Sequence, residues 1–250
     1  MPKKNVSDII NMKKRKEKIV MLTCYDYSMA KILSDSAVDI LLVGDSVGTV
    51  KLGYKDTLSV TVDDMVHHTK SVKNGACDNV MIVSDMPYMS YEKNPEEAVF
   101  NAKKLISAGA DAVKVEGGKE IIASVKAVIN NGIAVIGHLG LMPQSINKIG
   151  GYKVQCRDEE SVKILLEDAL ALQQAGVFSI VLECIPEHAA QIVAEKIDIP
   201  VIGIGAGKYC DGQVLVMHDM LGINTEFKPR FLRQYLNLHE QITGAVQHYI

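Results

Sequence analysis

The sequence predicts a (β/α)8 barrel, an α/β fold, and three observations carry that prediction. Short apolar runs recur along the chain, each of a length and composition suited to a strand buried on both faces. Most are separated by stretches with apolar residues at helical spacing, so strands and helices alternate. The chain has 250 residues, a usual length for one such barrel, so residues 1–250 are expected to form a single domain.

The elements follow in order. Residues 6–17 read as a short amphipathic N-terminal helix, with Val6, Ile9 and Ile10 on one side. Residues 18–26 read as the first strand, and Ser28 as the cap of a helix running to about Ser36. The second strand is 40–45, followed by a loop of small residues with Gly48 and Gly53. Thr61-Val-Asp-Asp64 is close to a capping box; Val62, Met65, Val66, Thr69 and Val72 continue at helical spacing to a stop at Gly75. The third strand is 79–85. Asn94-Pro95 supplies a cap and a proline at the first helical position, before the apolar stripe Ala98, Ala102, Leu105 and Ile106 and the terminator Gly109.

The fourth strand is 112–116, and the next helix carries Ile121, Ile122, Val125, Val128 and Ile129 up to Asn131-Gly132. Strand five, 134–138, leads into a long connection, 140–157, of the kind that is usually functional. The helix 158–175 presents Val162, Leu165, Leu166, Ala169 and Leu172 on one face and stops at Gly176. Strand six is 179–183, and Pro186 opens a helix to about Lys196. Strands seven and eight are 200–205 and 214–217, too close together for a helix between them. A tail helix is expected from about Pro229, carrying Phe231, Tyr235, Leu238, Ile242 and Val246.

A faint repeat runs through this plan. Ala108-Gly-Ala-Asp-Ala-Val-Lys-Val-Glu116 aligns without a gap on Ala175-Gly-Val-Phe-Ser-Ile-Val-Leu-Glu183, and residues 36–45 form a looser copy. Shared requirements of helix stop, turn and buried strand explain it. The consequence is positional: Glu116 and Glu183 should occupy equivalent places at the rim.

Composition narrows the function. Net charge is −3 and no basic stripe appears, which argues against nucleic acid as a partner. The run Lys13-Lys14-Arg15-Lys16 reads as a solvated helix face. The five cysteines are odd in number and contain no CxxC pair, as expected for reduced thiols in a cytoplasmic protein. No signal-peptide core and no apolar run of membrane-spanning length is present, so no membrane role is expected.

The chemistry lies at the strand ends. Asp45, Asp85 and Glu116 end strands two, three and four, and neighbouring strands lie about 4.8 Å apart. Each alone reads as a helix cap or a lysine partner; together they suit a hard divalent cation such as Mg2+. Lys114 shares a face with Glu116 and either holds a substrate carboxylate or oxyanion or neutralises the acids. Glu183, away from the metal cluster, is the candidate general base; a rim salt bridge is the alternative. His138 either binds substrate or is a satisfied structural histidine. Gly203-Ile-Gly205-Ala-Gly207 is a weak signal: glycine-rich turns after strand seven can bind phosphate in such barrels, but the P-loop pattern fails, because Tyr209 follows Lys208 where Ser or Thr is needed, and no helix opens there for a dinucleotide. Close backbone packing is the reading kept. His67-His68 and His218-Asp219 lack zinc-protease spacing.

Spaced stretches carry a family resemblance. Leu22-Thr-Cys-Tyr-Asp-Tyr-Ser28, Val43-Gly-Asp-Ser-Val-Gly48, Val113-Lys-Val-Glu-Gly-Gly118 and Gly137-His-Leu-Gly-Leu-Met-Pro-Gln144 resemble ketopantoate hydroxymethyltransferases, as do Gly150-Gly-Tyr-Lys-Val-Gln155, Leu182-Glu-Cys-Ile-Pro186 and Ile202-Gly-Ile-Gly-Ala-Gly207 followed by Asp211-Gly-Gln-Val-Leu-Val216. The resemblance holds in register from about residue 5 to 225. It departs at Cys24, Met142 and Cys156, where the family pattern has Ala, Thr and Gly; Cys156 falls in the long loop.

The resemblance implies a barrel of the phosphoenolpyruvate/pyruvate-binding type. It also implies transfer of a hydroxymethyl group from 5,10-methylenetetrahydrofolate to 3-methyl-2-oxobutanoate, giving 2-dehydropantoate for pantothenate synthesis. It places Mg2+ on Asp45, Asp85 and Glu116, keto-acid contacts on Asp45, Ser46, Asp85 and Lys114, and the proton acceptor on Glu183. It further implies a homodecamer of stacked pentamers. The alternative is another Mg2+-dependent 2-oxo-acid lyase or mutase of the same superfamily. Those enzymes generally carry a catalytic cysteine on a Lys-Lys-Cys-Gly-His-like loop, a stretch this sequence lacks. A non-catalytic barrel used for binding is a third class, but it gives no reason for a rim of acids.

Overall fold

The computed structural model describes residues 3–151, 153–225 and 228–250. Tyr152, part of one resembling stretch, lies outside them. Eight parallel strands close on themselves in sequence order: β1 (Ile19–Thr23), β2 (Ile40–Val43), β3 (Met81–Asp85), β4 (Ala112–Glu116), β5 (Ala134–Gly140), β6 (Ser179–Glu183), β7 (Val201–Ile204) and β8 (Gly212–Leu215), with β8 pairing back onto β1. Helix α1 (Val6–Lys14) precedes the barrel. Crossovers carry α2 (Tyr27–Ser34), the short α3 (Val47–Val50), α4 (Val62–Gly75), α5 (Pro95–Ser107), α6 (Ile122–Asn130), the short α7 (Ile146–Ile149), α8 (Glu159–Ala175) and α9 (Glu187–Lys196). The β7–β8 connection has no helix, as its length predicts; α10 (Met217–Met220) and α11 (Leu238–Tyr249) follow β8.

Alternation along the strands separates two cores. Met21, Ile40, Leu42, Met81, Val83, Ala112, Ile136, Val181, Ile202 and Val214 face inward and fill the barrel. Residues of opposite parity, such as Leu41, Ile82, Val113, Val135, Ile180 and Val201, pack outward against the helices. Continuing the inward parity to the carboxyl ends of β3, β4, β5 and β6 brings Asp85, Lys114 and Glu116, His138 and Glu183 to the mouth of the barrel. The pattern that builds the core therefore also aims the site.

The opposite mouth is closed by α1, which buries Ile9 and Met12 in the interior cluster. Three aspartates fasten this end. Asp39, Asp111 and Asp211 precede β2, β4 and β8, and each accepts from a strand N–H: Val20 at 2.7 Å, Ile82 at 2.8 Å and Val201 at 2.9 Å. Each also pairs with a lysine of the N-terminal segment: Lys4 with Asp39, Lys3 with Asp111, Lys13 with Asp211. Asp39 and Asp111 hold the same place in the internal repeat; Phe178 holds it in the third copy and keeps only the backbone bond that all three make, its N–H donating to Val135 O as those of Asp39 and Asp111 donate to Val20 O and Ile82 O.

Most helix starts follow their expected caps. Thr61 and Asp64 form the reciprocal capping box, and Asn94 accepts from Glu97 N–H with Pro95 in first position. Two expectations need correction. Helix α2 is capped by Asp26, not Ser28: the Asp26 carboxylate accepts from Met29 N–H and is held 3.0 Å from Lys51 Nζ. The tail helix begins at Leu238, not near Pro229. Phe231 instead packs on Gly205, and the N–H groups of Tyr235, Leu238 and His239 donate to the carbonyls of Met220, Leu221 and Gly222, so this stretch needs no helix to satisfy them. In α11, Ile242, Val246 and Tyr249 are exposed. The 203–207 run is a close-packing device: a Cβ on Gly203 would lie 2.7 Å from Cys210 Sγ.

Candidate active site

The site occupies the carboxyl-end mouth. Asp45 stands two residues beyond β2; Asp85, Glu116 and Glu183 are the last residues of β3, β4 and β6. Glu116 and His138 are direct cross-strand partners, as are Asp85 and Lys114, so their contacts follow from register. Asp45, Asp85, Lys114, Glu116 and His138 are all buried; Glu183 is partly open. Ser46, half-buried, places its Oγ 2.8 Å from Tyr25 Oη at the edge of the group.

Lys114 Nζ lies 3.0 Å from Asp85 Oδ1 and 3.9 Å from Glu116 Oε1. Asp45 N–H donates to Asp85 Oδ2 at 3.1 Å. His138 bridges two acids: Nδ1 is 3.1 Å from Glu116 Oε1, and Nε2 is 3.3 Å from Glu183 Oε2, within ion-pair range though not aligned as a hydrogen bond. Glu183, expected to stand apart from the acids, is thus linked to Glu116 through one imidazole. The close packing of β5 on β6 at this point needs Gly140: its φ is +96°, and a Cβ would lie 2.4 Å from Glu183 O.

These contacts set the charges. Burial and Lys114 both lower the His138 pKa, but the carboxylates of Glu116 and Glu183 outweigh them and push it up to about 9. Burial also disfavours the Lys114 ammonium, and Asp85, Glu116 and Asp45 more than compensate, so it stays charged. Burial opposes ionisation of Glu116, but His138, Lys114 and the Gln144 N–H hold it below the usual carboxylate range. Asp45 goes the other way: burial, then Asp85 and Glu116, hold it well above that range. Asp85 is also raised, by burial, against the pull of Lys114.

The donor set fits a hard cation. Among the described residues no three His, Cys, Asp or Glu side chains are gathered into a ready-made cage. Mg2+ does not need one, since it usually takes one or two carboxylates and completes its shell with water or substrate oxygens. Asp85 Oδ1 is buried with an ion-pair partner but no hydrogen bond. Four carboxylates face two cations, an excess of negative charge that a dication would offset. Both Glu116 oxygens are engaged, by His138 and by the Gln144 N–H.

Gln144 and Tyr91 are the members that sequence reasoning missed. Both are buried, and Tyr91 Oη accepts from Glu116 N–H at 3.0 Å. Gln144 ends one of the resembling stretches, but no spacing marks it as polar machinery; Tyr91 carries no sequence signal. The departure at Cys156 also acquires a physical meaning. Its φ is +53°, a left-handed conformation that glycine adopts freely and other residues adopt at a cost of about 1–2 kcal/mol.

A sequence profile of the family described as ketopantoate hydroxymethyltransferase matches residues 3–250. A 3-methyl-2-oxobutanoate hydroxymethyltransferase of Clostridium botulinum (strain 657 / Type Ba4) is 53% identical over 246 residues, covering 98% of this chain and 89% of that one. One of Syntrophus aciditrophicus (strain SB) is 54% identical over 245 residues, covering 98% and 90%. Solved structures share the barrel at low identity. A 2,3-dimethylmalate lyase of the PEP mutase/isocitrate lyase superfamily superposes with TM-score 0.60 at 15% identity, covering 97% of this chain and 98% of that one. A phosphonopyruvate hydrolase in complex with oxalate and Mg++ gives 0.65 at 10%, covering 99% and 85%. Matched along nearly its whole length and more than half identical to these relatives, the chain belongs to the ketopantoate hydroxymethyltransferase family.

Proposed function

We propose that the chain is a cytoplasmic enzyme that, with water, transfers a hydroxymethyl group from 5,10-methylenetetrahydrofolate to 3-methyl-2-oxobutanoate. The products are 2-dehydropantoate and tetrahydrofolate. Family membership supports the reaction. The observation that carries the mechanism is a partly open carboxylate, Glu183, beside a buried cluster of acids and cations.

Asp45, Asp85 and Glu116 would hold Mg2+, for which the oxalate- and Mg++-bound phosphonopyruvate hydrolase is a distant fold precedent. When bound, the ion supplies Lewis-acid stabilisation of negative charge on the keto oxygen. Ser46 and Lys114 bind the keto acid, with Lys114 presenting its ammonium to the developing enolate. Glu183 accepts the C3 proton, and protonated His138, 3.3 Å away, keeps that carboxylate oriented before the transfer. The enolate carbon then attacks the one-carbon unit of the folate. The decamer implied by the resemblance is proposed with this function; the exposed Ile242, Val246 and Tyr249 of α11 support contact between chains, and sedimentation tests it.

Proton NMR of 3-methyl-2-oxobutanoate in D2O tests the chemistry. The C3 proton signal should vanish with enzyme and Mg2+, without folate, and should persist with Glu183→Gln. Exchange at the wild-type rate in that variant would remove Glu183 as the base. Adding methylenetetrahydrofolate to the wild-type sample should give 2-dehydropantoate, and its failure to form would sink the transferase assignment.

A further inference from the structure

We propose that Gln144 is the positioning residue of the acidic site: its side-chain amide orients Asp45 for the divalent cation while its own backbone N–H fixes Glu116. The inference rests on the magnesium reading above and adds a residue to it.

Gln144 lies in the β5–α8 connection, just after Pro143, and is only 5% exposed. Its backbone N–H donates to Glu116 Oε2 at 3.0 Å. Its Nε2 donates to Asp45 Oδ2 at 2.8 Å and to Met86 O at 2.9 Å. Its Oε1 accepts from Tyr91 Oη at 2.8 Å. Both amide hydrogens and the carbonyl are thereby used.

The orientation of the amide is not arbitrary. Met86 O can only accept, so the NH2 end must face it, and the same nitrogen reaches Asp45 Oδ2. The carbonyl end is left facing Tyr91, whose one hydroxyl proton is shared between Gln144 Oε1 at 2.8 Å and Glu116 O at 2.9 Å. Tyr91 is itself fixed: its hydroxyl accepts from Glu116 N–H, and its backbone carbonyl accepts from Ser124 Oγ at 2.7 Å.

Asp45 needs this help more than its neighbours. Asp85 and Glu116 end strands and have Lys114 and His138 beside them. Asp45 lies beyond the end of β2, and among the described residues Gln144 Nε2 is the donor its carboxylate has. One residue of the β5 loop therefore ties an acid from the β2 end to an acid from the β4 end. Partners that orient metal ligands typically change affinity or activity by about 10–100-fold when removed.

Mn2+ binding, followed by the electron paramagnetic resonance of the free ion, tests this without turnover. Wild type should bind Mn2+, and Asp45→Asn should abolish or strongly weaken binding. Gln144→Leu should bind about 10–100-fold more weakly. Tyr91→Phe, which removes hydroxyl contacts to Gln144 Oε1 and to the Glu116 backbone, should weaken binding less. Wild-type affinity in Gln144→Leu, with Asp45→Asn impaired, overturns the assignment. Should Gln144→Leu not fold, the near-isosteric Gln144→Met takes its place, and wild-type affinity in that variant overturns the assignment equally. A wild-type protein that binds no Mn2+ refutes the metal reading instead, and the inference falls with it.

Discussion

Replacing Lys114 with Met retains the apolar stem and removes the one ammonium in the acidic cluster. Its Nζ stands 3.0 Å from Asp85 Oδ1 and 3.9 Å from Glu116 Oε1. At an effective dielectric of about 20, those separations give about 5.5 and 4 kcal/mol of attraction. Desolvation of the buried charges offsets much of it, and losing one partner of a buried pair typically costs about 3–5 kcal/mol, because the other charge stays buried. We expect Lys114→Met to lose that amount in the absence of divalent cations. The loss should depend on pH. Asp45 and Asp85 already sit above the usual carboxylate range and rise further without the lysine. A carboxyl whose folded pKa exceeds its unfolded value of about 4 loses stability as pH rises through that window. The deficit should therefore be larger near pH 8 than near pH 5. Urea unfolding in EDTA at both pH values measures it. A deficit below about 1 kcal/mol near pH 8, or one that shrinks as pH rises, would refute the charge balance argued here.

Two further substitutions probe the scaffold. Ile9→Ala empties a fully buried position where α1 closes the amino-terminal mouth, and should cost about 2–5 kcal/mol in urea unfolding; wild-type stability would mean α1 is not a plug. His218, buried after β8 with no hydrogen bond to Nδ1, has its pKa pushed down to about 4 by burial and Lys51, from an ordinary 6.5. The unfolded chain then takes up a proton that the folded one refuses, so stability falls as pH drops from 6.5 toward 4. His218→Leu should flatten that fall, and an unchanged pH slope would show that His218 does not cause it.

The residues readable in advance were those whose signal is local. A strand buried on both faces is apolar until it reaches the rim, so the acids at 45, 85, 116 and 183 stand out against it. Asn94-Pro95 and Thr61-Val-Asp-Asp64 announce helix starts because caps act over three residues. Ser28 was read as the cap of α2, whereas Asp26, two residues earlier, accepts from Met29 N–H and also pairs with Lys51, 25 positions further along the chain. The tail was misjudged because its apolar residues suit a helix, whereas carbonyls at 220–222 offered its backbone other partners. The Asp39, Asp111 and Asp211 fasteners were half legible: two recur in the repeat, but the lysines that pair with them come from residues 3–13.

Apolar runs, helical periodicity and length were enough to specify eight strands and the acids at their carboxyl ends; which face of each strand points inward was decided by closure of the barrel. They operate within a few residues, where backbone geometry alone relates one side chain to the next. Distances between strands, the charge states at the mouth and the role of Gln144 came only from the closed barrel. Gln144 meets partners 99, 58, 53 and 28 residues away, and no periodicity spans such separations. Register and closure bring those groups together, and burial then makes their charges interact strongly enough to matter.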